Sequence, residues 1–307
     1  MSMADMQVAP AGRAGREPGG EGGTMELHIA HFSDPHIQAD EERPLLGLNT
    51  EERFRAAVES LGSAGIELDA AVLTGDLTNS GHEGAYAKVQ AALAWARERL
   101  VCPIYFTLGN HDDRRNFSRV FLSGRMPEDG ERINEAVDIK GYRLLLLDSN
   151  GPLPGSPGSF TADQLAWLSG QLAAAAGKPT LIAFHHPPVA SPLKFQGGFD
   201  PESLSAFEAI LTGHTQVIGL LHGHLHIDLG STFKGIGVNV CGGTGFGFQP
   251  LARDLLDFVD RSTFSLLTCG ERGFAAATVD AGAAAKRLFK YDPGRDRPDL
   301  LKRAMGG

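Results

Sequence analysis

The stretch LHIAHFSDPH at residues 27–36 ends a short apolar run with an aspartate and a histidine two positions apart. Two later stretches also end an apolar run with polar residues, AAVLTGD at 70–76 and IYFTLGNHD at 104–112. Each apolar run has the length of a buried strand, and a helical pattern separates each run from the next. Strands that alternate with helices indicate an α/β protein, in which ligands bind outside the carboxyl ends of the strands.

The spacing of apolar residues predicts the other elements. Apolar side chains at 54, 57, 58 and 61, and at 86, 89 and 93, recur at helical spacing, and Asn49 or Thr50 caps the first of these helices. Thr161 and Gln164 form a capping box for a third helix, and Gly213 ends a fourth. Further strands are predicted at 137–139, 144–147, 181–184 and 217–221, around 238, and at 264–267 and 275–279. The pattern predicts two packed sheets with helices outside.

The composition is that of an ordinary soluble protein, with 42% hydrophobic and 21% charged residues in a chain of 307. A net charge of −9 argues against non-specific nucleic-acid binding, which needs a basic surface. No apolar run reaches the roughly 18–20 residues of a membrane-spanning helix. Cys102, Cys241 and Cys269 form no C-x-x-C pair and no disulfide framework. We therefore expect a cytoplasmic protein with neither a nucleic-acid nor a membrane partner.

The same reading divides the chain into three parts. Residues 1–24 are glycine-rich and lack the apolar segment of a secretory signal, which predicts a disordered leader, with Met25 an alternative start. One catalytic domain is expected over 25–282. A basic, helix-like C-terminal extension is expected over 283–307, where self-association is an open alternative.

Five polar clusters follow predicted strands, and their side chains indicate the chemistry. They are Asp34-Pro35-His36, Gly75-Asp76, Gly109-Asn110-His111-Asp112, His185-His186 and His222-Gly223-His224-Leu225-His226. Nitrogen and oxygen ligands without cysteine suit manganese, iron or zinc. Six or seven ligands are too many for one tetrahedral zinc, whereas a two-metal centre uses them all and can clamp a phosphoryl group.

The motifs D-x-H, G-D, G-N-H-D, H-H-P-P and G-H-L-H, in this order over residues 26–245, resemble those of the calcineurin-like metallophosphoesterase superfamily. Four longer stretches are most similar to class III cyclic-nucleotide phosphodiesterases and their glycerophosphodiesterase relatives: HFSDPH, TGDLTNSG, LGNHDDR and FHHPPV. The resemblance implies a four-layer αββα sandwich of two mixed β-sheets. It also implies hydrolysis of a phosphodiester, with 3′,5′-cyclic nucleotides the expected substrates and a metal-bridging water or hydroxide as the nucleophile.

Seven residues match the metal ligands of that family. The resemblance implies a first ion on Asp34, His36 and His226, a second on Asn110, His185 and His224, and Asp76 as the bridge between them. These two divalent ions, manganese, iron or zinc, are the expected cofactors.

Two further residues match catalytic positions. The resemblance implies that His111 stabilises or protonates the departing oxygen and that Asp112 orients the His111 imidazole. Asn110, His111 and His224 are the residues expected to contact the small phosphodiester substrate. An alternative for Asp112 is that it only caps the following helix.

The sequence departs from other branches of the superfamily. Asn79 stands where purple acid phosphatases place a tyrosine, and the chain lacks the arginine and the G-N-H-E motif of the protein Ser/Thr phosphatases. The alternatives left open are a phosphomonoesterase on the same site and a metal-free interaction scaffold, although the latter needs ligand positions that are replaced.

Several conspicuous residues are expected to have structural roles. His28, His31, His82 and His214 are expected to be structural or surface residues, and His186 and His222 to lie behind the ligands. Arg114 and Arg115 are expected at a solvated helix start. The glycine-rich segment 242–248 lacks the lysine of a P-loop, so a flexible loop at the rim of the cleft is expected.

Overall fold

A computed structural model describes residues 26–125, 132–152, 155–194, 198–251, 255–282, 286–291 and 294–304. The predicted leader and Met25 lie outside these residues. The strands are β1 (Leu27–Phe32), β2 (Ala70–Thr74), β3 (Ile104–Thr107), β4 (Glu135–Ile139), β5 (Tyr142–Leu146), β6 (Thr180–Ala183), β7 (Val217–His222), β8 (Leu229–Phe233), β9 (Ile236–Val240), β10 (Gly247–Phe248), β11 (Leu256–Asp260), β12 (Thr263–Gly270), β13 (Gly273–Asp280) and β14 (Lys286–Tyr291). The helices are α1 (Thr50–Ser63), α2 (Glu83–Leu100), α3 (Arg114–Phe121), α4 (Ala162–Ala174), α5 (Pro201–Thr212) and α6 (Pro298–Ala304).

The strands form two large mixed sheets and a small one. The first sheet has the order β13-β12-β1-β2-β3, and the second has the order β4-β5-β6-β7-β9-β8. In each, the central strands are parallel, β1 with β2 and β3 in the first and β5 with β6, β7 and β9 in the second. The third sheet, β10-β11-β14, is antiparallel and was not predicted.

Alternating side chains along the strands build the four layers. In β1, Leu27 and Ile29 pack against the second sheet, whereas Ala30 and Phe32 pack against α1 and α2. In β6, Leu181 lies between the sheets and Ile182 packs against α4 and α5. Because strand side chains point alternately to opposite faces, each central strand buries apolar groups on both sides. The predicted αββα sandwich is confirmed.

The helix boundaries follow from the capping residues. The Asn49 side chain accepts from the backbone N–H of Glu52, so Asn49, of the two alternatives, caps α1. The capping box of Thr161 and Gln164 begins α4, and Gly213 ends α5, as predicted. Within the described residues, no helix is both long enough and apolar enough to cross a bilayer.

The region after residue 282 differs from the prediction. A helix-like tail was expected, but residues 286–291 form β14, which pairs with β11, and of the described residues after 282 only Pro298–Ala304 is helical. The backbone N–H of Leu46 donates to the Ala304 carbonyl, so the end of α6 contacts the loop that follows the first motif.

Candidate metal centre

Loops from both large sheets meet at the carboxyl ends of their parallel strands. Asp34 and His36 follow β1, Asp76 follows β2 and Asn110 follows β3, all from the first sheet. The second sheet contributes His185 after β6, and His224 and His226 after β7. The convergence expected from the five strand ends is therefore what the structure has.

Asp34, His36, Asp76 and His226 form the most buried group of the site. One ligand atom from each lies within 4.8 Å of all the others, and every one of the four side chains is buried. His36 Nε2 lies 3.2 Å from His226 Nε2, and the latter lies 3.2 Å from Asp34 Oδ1. Two carboxylates and two imidazoles at these separations can surround one divalent cation.

Asp76 lies between this group and a second one. Its Oδ2 is 3.4 Å from His36 Nε2 and also 3.4 Å from His185 Nε2. Its Oδ1 accepts from the backbone N–H of His111 at 2.8 Å. One carboxylate oxygen thus faces an imidazole from each group, which is the position that a bridging ligand needs.

Asn110, His185 and His224 make up the second, more open group. Asn110 Oδ1 lies 3.0 Å from His185 Nε2. The His224 ring lies 5.0 Å from the His185 ring, centroid to centroid. His185 is buried, whereas Asn110 and His224 are partly exposed, as is His111. The side of the site that solvent can reach is therefore lined by Asn110, His111 and His224.

Five of the seven side chains sit on left-handed backbone. The residues are Asp34 (φ 50°), His36 (φ 46°), Asp76 (φ 48°), His224 (φ 70°) and His226 (φ 51°). This region costs a residue other than glycine roughly 1–3 kcal/mol and is concentrated at functional sites. Such a cluster indicates that the fold holds these side chains in a fixed arrangement at a cost in stability.

Two glycines allow the loops to approach so closely. A Cβ on Gly109 would clash with the backbone N and the carboxylate of Asp76, and one on Gly223 would clash with Ser33 and Asp34. Neither position tolerates a side chain without displacing a carboxylate.

Backbone carbonyls orient the imidazoles. His185 Nδ1 lies 2.7 Å from the Thr74 carbonyl oxygen, and His226 Nδ1 lies 2.9 Å from the Phe246 carbonyl oxygen. A carbonyl accepts only from an N–H, so Nδ1 carries a proton in both rings and Nε2 is the nitrogen that faces the carboxylates. Once Nε2 has lost its proton, it is free to bind a metal ion.

The electrostatics favour ionised carboxylates. Burial alone would raise the pKa of Asp34, but the charges of His226 and His185 outweigh it and hold this pKa well below its usual range. The pKa of Asp76 is lowered too, because His185 and His111 outweigh its burial. Burial lowers the pKa of His36 to about 4, so this imidazole is neutral near pH 7. Burial alone would lower the pKa of His185, but the charges of Asp76 and Asp34 outweigh it and raise this pKa to about 9.

The donor set fits divalent cations. It consists of two buried carboxylates, four imidazoles and one amide oxygen, a set of nitrogen and oxygen ligands that suits manganese, iron and zinc. A buried anionic pair needs a compensating positive charge. The carboxylates raise the pKa of His185 and of His226, and metal ions would compete with protons for the nitrogen atoms of these rings.

The contact implied between Asp112 and His111 is wrong. His111 Nδ1 lies 2.6 Å from the backbone carbonyl oxygen of Asn79, and Asp112 instead accepts from the backbone N–H groups of Leu77, Thr78 and Gly109. The alternative that Asp112 caps α3 is also wrong, because the Asp113 side chain performs that role. Asp112 therefore ties the loop after β3 to the loop after β2.

Two other expectations are corrected. Arg114 is not solvated, since its guanidinium donates to the buried carboxylate of Asp148 through Nε (2.6 Å) and an Nη atom (3.0 Å). The segment 242–248 is not a flexible rim: it is buried throughout, and the Phe246 ring stacks on His226 with centroids 4.1 Å apart. Phe246 is buried and packs behind a candidate ligand.

The remaining histidines have the expected structural or surface positions. His31 is buried between the sheets, where its nitrogens contact Thr74 and Asn239. His28 and His82 are partly exposed, and the His82 side chain caps α2. His186 is buried beside His185 and His224.

Sequence reasoning missed a sixth polar cluster, Asp148-Ser149-Asn150, after β5. Asn150 Nδ2 donates to the Gly109 carbonyl at 2.6 Å, and Ser149 Oγ lies 2.9 Å from His186 Nδ1. The available signal was the same as for the other five: polar residues directly after the apolar run 144–147.

Comparisons with known proteins agree with the geometry. The model of a family described as calcineurin-like phosphoesterase matches residues 27–228. A cAMP/cGMP dual specificity phosphodiesterase of Mycobacterium tuberculosis is 33% identical over 70% of this chain and 67% of its own. A 3′,5′-cyclic adenosine monophosphate phosphodiesterase of Escherichia coli K12 is 29% identical over 74% of this chain and 80% of its own.

Among solved structures, a dimetal phosphatase from Danio rerio superposes with a TM-score of 0.56 at 16% identity, over 83% of this chain and 99% of the other. The protein TT1561 of Thermus thermophilus superposes with a TM-score of 0.52 at 17% identity, over 84% and 100%. At these identities the likeness supports the fold alone, and it agrees with the two mixed sheets flanked by helices.

Proposed function

Because the chain belongs to the calcineurin-like phosphoesterase family, we propose that it is a metal-dependent phosphodiesterase that hydrolyses 3′,5′-cyclic nucleotides. The relatives with the names of cyclic-nucleotide phosphodiesterases support this substrate class. The observation that carries the proposal is the position of Asp76, whose Oδ2 lies 3.4 Å from an imidazole of each group. One carboxylate shared by two ligand groups is the arrangement of a binuclear centre.

We propose that Asp34, His36 and His226 hold a first ion, that Asn110, His185 and His224 hold a second, and that Asp76 is shared. When bound, two divalent cations lower the pKa of water and neutralise the charge of a phosphoryl group. Manganese, iron and zinc all suit this donor set. The protein's contribution is to fix the seven side chains before the substrate arrives, so that little reorganisation is needed during the reaction.

His111 is proposed to protonate the departing ester oxygen. Its Nδ1 donates to the Asn79 carbonyl, so Nε2 is the atom that gains and loses the second proton. The ring is partly exposed and lies 4.7 Å from the His36 ring, centroid to centroid. His111 thus lies at the edge of the ligand groups, where an ester oxygen of the bound substrate would leave and take up the proton.

Substrate contacts are proposed for the partly exposed residues Asn110, His111 and His224. A diester carries one negative charge and two non-bridging oxygens, and a monoester dianion needs an additional cation. Arg114, the arginine next to the G-N-H-D motif, is committed to Asp148. We therefore propose a diester rather than a monoester as the substrate, and a cytoplasmic location for the protein.

A comparison of substrates on the metal-loaded protein tests this proposal. The ratio of kcat/KM is measured for a diester and a monoester with the same leaving group, together with 3′,5′-cAMP and 3′,5′-cGMP. We expect the diester and the cyclic nucleotides to be hydrolysed faster than the monoester. Preference for the monoester would assign a phosphatase, and turnover of linear diesters alone would exclude cyclic nucleotides as substrates.

A further inference from the structure

The cluster Asp148-Ser149-Asn150 contacts three different parts of the candidate metal centre. It follows β5, whose neighbour β6 leads to His185. Asp148 and Ser149 are completely buried, and Asn150 is 6% exposed. Each of the three side chains reaches a different segment, so the cluster connects parts of the site that come from the two separate sheets.

Asp148 fixes the beginning of α3. Arg114 donates two hydrogen bonds to its carboxylate and a third, from Nη, to the Asn150 carbonyl at 2.9 Å. Arg114 directly follows the G-N-H-D-D run that carries Asn110 and His111. A bidentate pair of this kind sets orientation as well as distance. Arg132 Nη1 also lies 4.0 Å from this buried carboxylate, so removing Arg114 would leave Asp148 with the longer of these two ion pairs.

Asn150 holds the loop that carries Asn110. Its Nδ2 donates to the Gly109 carbonyl at 2.6 Å, one residue before Asn110. The same carbonyl also accepts from the Asp112 backbone N–H at 2.9 Å, so it keeps one partner if the Asn150 amide is removed. Substitution at Asn150 therefore loosens this loop without leaving a carbonyl unsatisfied.

Ser149 holds the other half of the second ligand group. Its Oγ accepts from the His186 backbone N–H at 3.2 Å and lies 2.9 Å from His186 Nδ1. His186 directly follows His185, and its ring lies 4.6 Å from that of His224, centroid to centroid. The hydroxyl thus fixes the segment from which His185 projects.

We propose that Asp148, Ser149 and Asn150 are positioning residues for the second metal ion, setting the separation between Asn110 and His185. Those two ligands come from different sheets, and their 3.0 Å contact depends on how closely the loop after β3 lies to the loop after β6. The cluster contacts both loops. The described residues around Asp34, His36 and His226 receive no hydrogen bond from it, so the first ion is not affected. This inference rests on the proposed binuclear function.

The test is calorimetric titration of the metal-free full chain with Mn²⁺, without substrate. Wild-type protein is expected to bind two ions. In Asn150→Ala and in Ser149→Ala, one affinity is expected to fall by roughly 10–100-fold while the other stays the same. Asn110→Ala is expected to abolish binding of the second ion. The affinity that falls in Asn150→Ala and Ser149→Ala must belong to that same binding event.

The control is Ser203→Ala, which removes a buried hydroxyl that hydrogen-bonds with the Phe160 backbone and keeps the Ser203 backbone N–H that donates to the Asp200 cap. It is expected to lower Tm without changing either affinity. Equal weakening of both ions, or two unchanged affinities in Asn150→Ala and Ser149→Ala, would overturn the positioning role. If wild-type protein itself binds fewer than two ions, the proposed function fails instead, so the two failures are distinguishable.

Discussion

Replacing His111 with alanine separates chemistry from metal binding. The ring is partly exposed, and it contacts the Asn79 carbonyl and the edge of the His36 ring. Its backbone N–H, which donates to Asp76, is kept in the variant. The ligand groups therefore remain in place, and we expect His111→Ala to bind two ions as wild type does.

The expected loss is in the rate. A positioned general acid contributes roughly 10²–10⁴-fold, which corresponds to about 3–5 kcal/mol of activation free energy. That contribution depends on the leaving group, since an alcohol such as a ribose hydroxyl needs a proton and an acidic phenol does not. The loss is expected to be largest for 3′,5′-cAMP and to become small for a 4-nitrophenyl diester.

The assay measures kcat/KM of wild type and His111→Ala on aryl diesters of graded leaving-group pKa, with metal content determined on the same samples. His28→Ala is the matched control, because His28 lies at the opposite end of β1 from the site and is expected to show wild-type rates. A uniform loss across all leaving groups, or a loss of bound metal, would show that His111 is a structural residue or a ligand and refute the acid role.

Three other predictions follow from the site. Asp76→Asn is expected to lose both ions on dialysis, because it removes the negative charge that the two ligand groups share, with Oδ2 3.4 Å from an imidazole of each; retention of both ions in metal analysis would exclude the bridge. Phe246→Ala is expected to lower the free energy of unfolding in urea by about 3–5 kcal/mol and to weaken the ion bound by His226, whereas Phe289→Ala, further from the site, should leave metal affinity unchanged. Burial lowers the pKa of His31 to about 3, so between pH 6.5 and 3 the unfolded chain binds more protons than the folded chain. The free energy of unfolding therefore decreases as the pH is lowered through this range, by up to about 1.4 kcal/mol per pH unit. His31→Gln should show a shallower dependence on pH in urea titrations across this range.

Much of the fold was predictable because polar motif residues mark the ends of the apolar strands. The runs 27–32, 70–74 and 104–107 are apolar on both faces, as strands between two layers must be, and a polar motif residue follows each of them closely. Parallel strands place their carboxyl ends at one edge, so Asp34, Asp76 and Asn110 converge once β1, β2 and β3 are neighbours, as they are in the first sheet. The third sheet was missed because its signals are weak: β10 has two residues and β14 has the basic composition of a surface helix.

The parts of the site that depend on backbone atoms were not predictable. No residue type signals that the Asn79 carbonyl orients His111 or that the Thr74 carbonyl orients His185, since any residue offers a carbonyl. Left-handed backbone at Asp34 and His226 is likewise invisible in the sequence, where only glycine indicates it. The pairing of Arg114 with Asp148 is a contact between distant segments that spacing along the chain does not reveal.

The most direct test of the binuclear phosphodiesterase is a metal titration with activity measured at each step. Protein stripped by exhaustive chelation is dialysed against increasing Mn²⁺, and each sample is analysed for bound manganese and for hydrolysis of 3′,5′-cAMP. We predict no activity without metal, two ions per chain at saturation, and a rate that rises with occupancy of the second ion. Full activity after chelation, or full activity with only one ion bound, would contradict the account.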